Sequence, residues 1–276
     1  MHMRKVNLLC ALVLVLGAAA VSAQDAARGA SLLAEARKAL GGEERLLAVK
    51  TLDVRGEFKR AAGQNTIEGD LQIRIERPDK LRRDEDTSLP GGGPAIIRTE
   101  VLNGATVWDD ITGRQGAGGF GGGAGGRDGG FGRGGGGGRA PLDPAQIEEA
   151  LRRARQADLT RLLLVFLVAT DSPATWIGTA EAPDGKADVL ELTPANQPAI
   201  RLFLDATSHV PLMITWQAAG RGRDAAAQMT LAEYKTANGI RFPHLITRGT
   251  SEQTVEEWTI GNYRVNPSFR SDVFAQ

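Results

Sequence analysis

The strongest constraint on this chain is a period-two alternation that recurs in short runs almost from end to end. It is clearest between Ala199 and Trp216. Ile200, Leu202 and Leu204 fall on one face of an extended segment, because successive side chains in a strand point to opposite sides. Val210, Leu212, Ile214 and Trp216 repeat the pattern on the return. Asp205 to Ser208 supply a tight polar turn, since short polar side chains hydrogen-bond their own backbone. Pro211 lacks an N–H and belongs at a strand start or a sheet edge. The stretch reads as a β-hairpin with one apolar face.

The same alternation appears elsewhere. Leu52, Val54 and Phe58 oppose Asp53, Arg55, Glu57 and Lys59. Leu71, Ile73 and Ile75 mark the inward side of the next run, Thr66 to Arg77. Lys80 to Asp86 reads as a charged strand, suited to a sheet edge where charge blocks unwanted pairing, and Arg82-Arg83 as a solvated strand face. Asn103-Gly104 lies between two strand-like runs and predicts a hairpin turn there. Further pairs are expected at Thr175–Thr193 and Gln228–Thr247, and a last strand at Glu252–Val265, for about ten strands.

Two helices are expected. Ser31 to Leu40 has an apolar stripe and stops at Gly41-Gly42, with residues 24–29 as a flexible lead-in. The second starts at Asp143-Pro144, a capping residue followed by proline at the first helical position. Its pattern runs to about Ala169. The first half is basic (Arg152, Arg153, Arg155). Leu162 to Val168 is apolar nearly all round, which requires burial on several sides, and is too short for a membrane span.

At the N-terminus, Arg4-Lys5, the apolar Leu8–Leu16 and Val21-Ser22-Ala23 make a secretory signal, with cleavage near Gln24. Cys10 is the single cysteine and leaves with it, so the mature chain has no disulfide and no thiolate. Removing Arg4 and Lys5 leaves 31 basic residues against 33 acidic, and no basic field to draw nucleic acid. Gly113 to Arg139 is glycine-rich and is expected to be disordered. Its Gly116, Gly118 and Gly121 form a GxGxxG, but more glycines follow where a nucleotide site needs a helix. The expected domains are a signal at 1–23 and a single domain at 24–276 carrying this insertion.

Several phrases resemble one known family. Leu202-Phe-Leu-Asp205 with its turn and Pro211-Leu212, Tyr234 to Pro243, and Asn262 to Pro267 are similar to the LolA/LolB-like bacterial envelope proteins, a family that includes the RseB sensor. The resemblance covers most of residues 31–274, apart from the glycine-rich insertion. It implies an α+β fold: a strongly curved antiparallel sheet, an open half-barrel, with helices across its concave face. It implies a periplasmic or cell-envelope protein that binds an apolar ligand, a lipid or the acyl chains of a lipoprotein, without catalysis. The residues expected to line such a site are Ile73, Leu202, Leu204, Leu212, Ile214 and Trp216 from strands, and Leu162 and Phe166 from the helix. The alternative is a sensor or protein-interaction module with the same fold, which an empty or tightly filled concavity would favour. The family's carriers use a basic residue to hold a helical lid shut, and no such residue is evident from these phrases.

No catalytic constellation stands out. His209 and His244 lack partners at metal-ligand spacing. Asp109-Asp110 and Glu256-Glu257 are sequence neighbours, so in strands their side chains diverge. They read as solvated positions. No metal and no cofactor is expected; an envelope enzyme would need a polar cleft with convergent carboxylates.

Overall fold

The computed structural model describes residues 23–87, 96–113, 143–182, 185–217, 226–250 and 253–276. Three helices and twelve strands occur among them. Helix α1 (residues 23–40) and α2 (Glu43–Leu47) come first. Strands β1 (Thr51–Ala62), β2 (Asn65–Glu76), β3 (Lys80–Thr87), β4 (Ile96–Asn103) and β5 (Thr106–Thr112) follow. Helix α3 (Pro144–Leu167) then separates them from β6 (Ala174–Ala182), β7 (Gly185–Leu192), β8 (Ile200–Asp205), β9 (Pro211–Gln217), β10 (Ala226–Ala237), β11 (Ile240–Thr250) and β12 (Thr254–Val265).

All twelve strands form one antiparallel sheet in the order β5-β4-β3-β2-β1-β12-β11-β10-β9-β8-β7-β6. Nearly every neighbour is also a sequence neighbour, so short turns build most of the sheet. The exception is the central pair, β1 with β12, which joins the two ends of the fold through Leu52↔Val265 to Arg60↔Glu256. The sheet does not close, and α3 lies across its concave side, reaching from β3, β4 and β5 to β9. This is the expected α+β half-barrel.

The central pair bends at a bulge between Arg55 and Gly56. Gly56 is required there: a Cβ would stand 2.3 Å from the Thr259 carbonyl oxygen. Inward residues of both halves then merge in one core, with Val54, Phe58, Ile73, Leu202, Ile214, Phe242 and Trp258 all buried.

Several sequence expectations change. Residues 24–29 are helical, so α1 is longer than expected and does not start at Ser31. The extension is held by tertiary contacts. Gly29 lies so close to β6 that a Cβ would meet the Ala174 oxygen at 2.2 Å. Arg28 stacks 3.6 Å from the Trp176 ring and pairs with buried Asp188 at 3.3 Å. The β4–β5 turn is Gly104-Ala105 rather than Asn103-Gly104: Asn103 pairs with Thr106, and Gly104 (φ 60) takes the first turn position. Strand β3 is interior, between β2 and β4, and not an edge. The signal segment apart from Ala23, and the glycine-rich insertion apart from Gly113, lie outside the described residues.

Asp143 caps α3 as expected, its carboxylate accepting from the Ala145 N–H at 3.0 Å. The helix ends at Leu167, not Ala169, where Val168 adopts a left-handed conformation (φ 48) normally given to glycine. Arg37 of α1 donates to the Val168 oxygen at 3.2 Å and ties the two helices together there.

Replacing Gly56 with alanine should lower stability by about 1–3 kcal/mol, the range for forcing atoms into filled space. A denaturant midpoint shifted down at unchanged slope is the expected result.

Candidate functional site

The concave face divides into an apolar part and a charged part, and α3 spans both. Toward its C-terminus α3 buries Leu159, Leu162, Leu164, Val165, Phe166 and Leu167. Phe166 meets Tyr263 edge-on at 5.8 Å, and Tyr263 stacks on Phe242 at 4.3 Å. Each such burial contributes roughly 1.5–3 kcal/mol, so packing dominates the hold on this half.

Under the N-terminal half the sheet is ionic. Residues that share strand parity with inward apolar neighbours are here charged: Arg60 with Phe58, Arg83 and Glu85 with Leu81, Glu100 with Leu102, and Glu256 with Trp258. Glu256 accepts from Arg60 and Arg83 at 2.9 Å each and from Arg248 at 3.2 Å. Glu85 bridges Arg60, at 2.7 Å, and Arg83. Arg83 and Arg248 also face the Trp258 ring at 5.0 and 5.1 Å. Arg155 of α3 enters a corner formed by Glu100 (3.0 Å) and Asp109 (2.9 Å). Arg161 pairs with Asp158 at 2.9 Å and lies 4.4 Å from the centre of the Trp216 ring.

This reverses two sequence readings. Arg83 is not on a solvated face but inside the concavity. Glu256 is buried (6% exposed), as is Glu100. Asp109 is exposed, as expected, yet accepts from a helix arginine. The signal was present in the parity of each residue, but parity does not say that a helix covers that end of the sheet.

The electrostatics follow from the packing. Burial works against the charge on Glu256, but Arg83, Arg248 and Arg60 outweigh it and hold the carboxyl at about 2. Burial also opposes the charge on Arg155, which Glu100 and Asp109 more than restore. A carboxylate held so low stays ionised and is a poor proton donor near neutral pH. The convergence of Glu85 and Glu256 therefore has the character of an ion-pair network rather than of an acid–base pair.

Seven of the eight expected ligand-lining residues are brought together: Ile73, Leu162, Phe166, Leu202, Leu204, Ile214 and Trp216 all belong to one core. Leu212 does not, being half-exposed. The register between β8 and β9 slips between Phe203 and Leu204, so Leu204 faces Pro211 and Leu212 falls at the irregularity. The seven touch protein rather than open space. A cavity between α3 and the sheet, lined by Arg83, Asp158, Leu162 and Trp258 among others, has a volume of about 10 Å³, room for about one water. A shallow cleft of about 220 Å³ opens at the rim beside Arg60 and Glu256. Among the described residues no group of His, Cys, Asp and Glu is placed to hold a metal. His244 is engaged instead with the Ile260 oxygen, at 2.6 Å.

No family model matches the chain, and no curated protein does. Similar solved structures include a LolA superfamily protein from Nitrosomonas europaea (12% identity, 90% of this chain and 97% of that one, TM-score 0.48). Another is a domain from Vibrio parahaemolyticus assigned to outer membrane lipoprotein sorting (12% identity, 91% and 97%, TM-score 0.49). A third is the MucA/MucB complex of Pseudomonas aeruginosa (15% identity, 91% and 61%, TM-score 0.28). At these identities and scores, none of them decides what this chain binds.

Glu256→Gln should destabilise the fold by about 3–5 kcal/mol, the cost of breaking a buried ion pair. Because the folded pKa of Glu256 lies below its ordinary 4.5, its contribution is present above about 4.5 and is lost as pH falls toward 2. The wild-type chain should therefore lose stability across that acid window, and the glutamine variant should show a flatter pH dependence in thermal denaturation.

Proposed function

We propose that this chain is an exported, non-catalytic binding module of the cell envelope that engages a protein partner. The observation that carries this reading is the filled concavity. The place where an acyl chain would lie is taken by the chain's own helix, with an internal cavity of only about 10 Å³ beside it. The Arg4-Lys5, Leu8–Leu16 and Val21–Ala23 pattern supports export to the periplasm.

A second reading, a carrier of lipid or lipoprotein acyl chains, is favoured by one feature. The N-terminal half of α3 is positioned by ion pairs, which exchange readily with water, and Arg155 in the Glu100–Asp109 corner is a basic side chain able to hold that helix shut. If α3 lifts, Leu202, Leu204, Ile214 and Trp216 become the floor of an apolar trough, with Ile73, Leu162 and Phe166 beside it.

Native mass spectrometry on the mature protein, with added fatty acid, separates the two. The interaction reading expects an apo mass for the wild type and for Arg155→Glu, in which like charge expels the helix from its acidic corner. Lipid uptake that rises in Arg155→Glu would instead establish the carrier.

A further inference from the structure

The two edges of the sheet are treated differently. At β6, α1 lies against the backbone at Ala174 and Trp176, and a bulge interrupts the strand between Trp176 and Gly178. Covering elements and bulges are the usual means of stopping an edge from pairing with another chain. Strand β5 has no bulge, and α3 meets it on its inward face through Arg155 and Asp109, while its backbone makes no hydrogen bond beyond β4 among the described residues. Its register with β4 runs without a slip from Asn103↔Thr106 to Ile97↔Thr112. Ile111 is 61% exposed, and Ile97 at the same end of the hairpin is 38% exposed.

The ladder pattern says which groups are open. In a two-residue hairpin the closing pair, here Asn103↔Thr106, is hydrogen-bonded, and bonded and non-bonded pairs then alternate. Trp108, Asp110 and Thr112 therefore spend their backbone groups on β4. Those of Val107, Asp109 and Ile111 point outward.

We infer that the outer edge of β5 is a docking site for an extended segment of a partner protein carrying basic residues between apolar ones. This deepens the interaction reading above, and rests on it, by naming the surface and the chemistry of the partner. The charge on β5 selects the occupant. Asp109 and Asp110 sit at mid-strand, so a second copy pairing antiparallel about the strand centre would set carboxylate against carboxylate, which is unfavourable. Asp109 is already held by Arg155, but Asp110 is exposed on the opposite face and makes no ion pair among the described residues. A residue added opposite Asp110 would occupy a non-hydrogen-bonded pair, the closer of the two spacings. Lysine or arginine fits there, and an apolar side chain fits opposite Ile111.

The probe is a fluorescein-labelled peptide, Thr-Val-Lys-Val-Lys-Val-Thr, with a control in which glutamate replaces lysine, added to the full mature chain at low ionic strength. Fluorescence polarisation should show the lysine peptide bound at least tenfold more tightly than the control. Ile111→Pro removes one outward N–H and leaves the β4 ladder intact, and should weaken binding at least tenfold. Asp110→Lys, an exposed change with no packing cost, should invert the preference between the peptides and covers the case in which the proline variant fails to fold. No binding of the lysine peptide, equal binding of both peptides, or a preference unchanged in Asp110→Lys would overturn the assignment. So would slow hydrogen exchange at Val107, Asp109 and Ile111 in the free chain, because the edge would then be covered by residues 114–142 or by a second copy. If these results fail while no lipid is taken up, the edge assignment falls alone. Lipid uptake in Arg155→Glu would remove the interaction reading itself.

Discussion

An open, curved sheet of twelve strands carries an apolar concave face, and water is a poor solvent for it. Burying that face is the constraint on which the rest of this structure depends. Helix α3 meets it with a C-terminal half that is apolar nearly all round, and the long core it forms with both halves of the sheet offsets the ordering of a chain with no disulfide. Once α3 is seated, its buried leucines and Phe166 occupy that surface. Cover and ligand compete for one surface, so the same burial that stabilises the fold decides which functional reading is the better supported.

The charged end of the concavity follows from a different balance. Burying guanidinium and carboxylate groups is expensive, and such pairs return little net stability compared with apolar packing. Their use here is positional. Arg155 can enter only where Glu100 and Asp109 meet it, and Glu256 draws Arg60, Arg83 and Arg248 together over Trp258. The network sets the angle and register at which α3 lies, while packing supplies the free energy that keeps it there.

Topology explains why the sheet's two edges differ. Because β1 pairs with β12, the first and last strands meet in the middle and the edges are internal segments, β5 and β6. Helix α1 precedes β1 yet reaches β6, and its Gly29 and Arg28 secure that edge. At β5, α3 reaches only the inward face, where Arg155 meets Asp109, and no hydrogen bond to the outer backbone of β5 occurs among the described residues.

Local chemistry determined the elements. Alternating apolar residues marked the strands and their inward faces. Asp205 and its neighbours marked one turn, Asp143-Pro144 marked the start of α3, and the phrases around Leu202–Asp205 carried the family likeness and with it the half-barrel. These are legible because each depends on residues a few positions apart. What the tertiary structure decided depends on residues far apart in the chain. Residues 24–29 are helical because β6 receives them. Arg83 is largely covered and Glu256 is buried because α3 lies over their end of the sheet. Strand β3 is interior because β4 returns beside it, and Leu212 leaves the core because the register slips between β8 and β9. In each case the sequence specifies which face a side chain takes, and only the packing of distant elements specifies what that face meets.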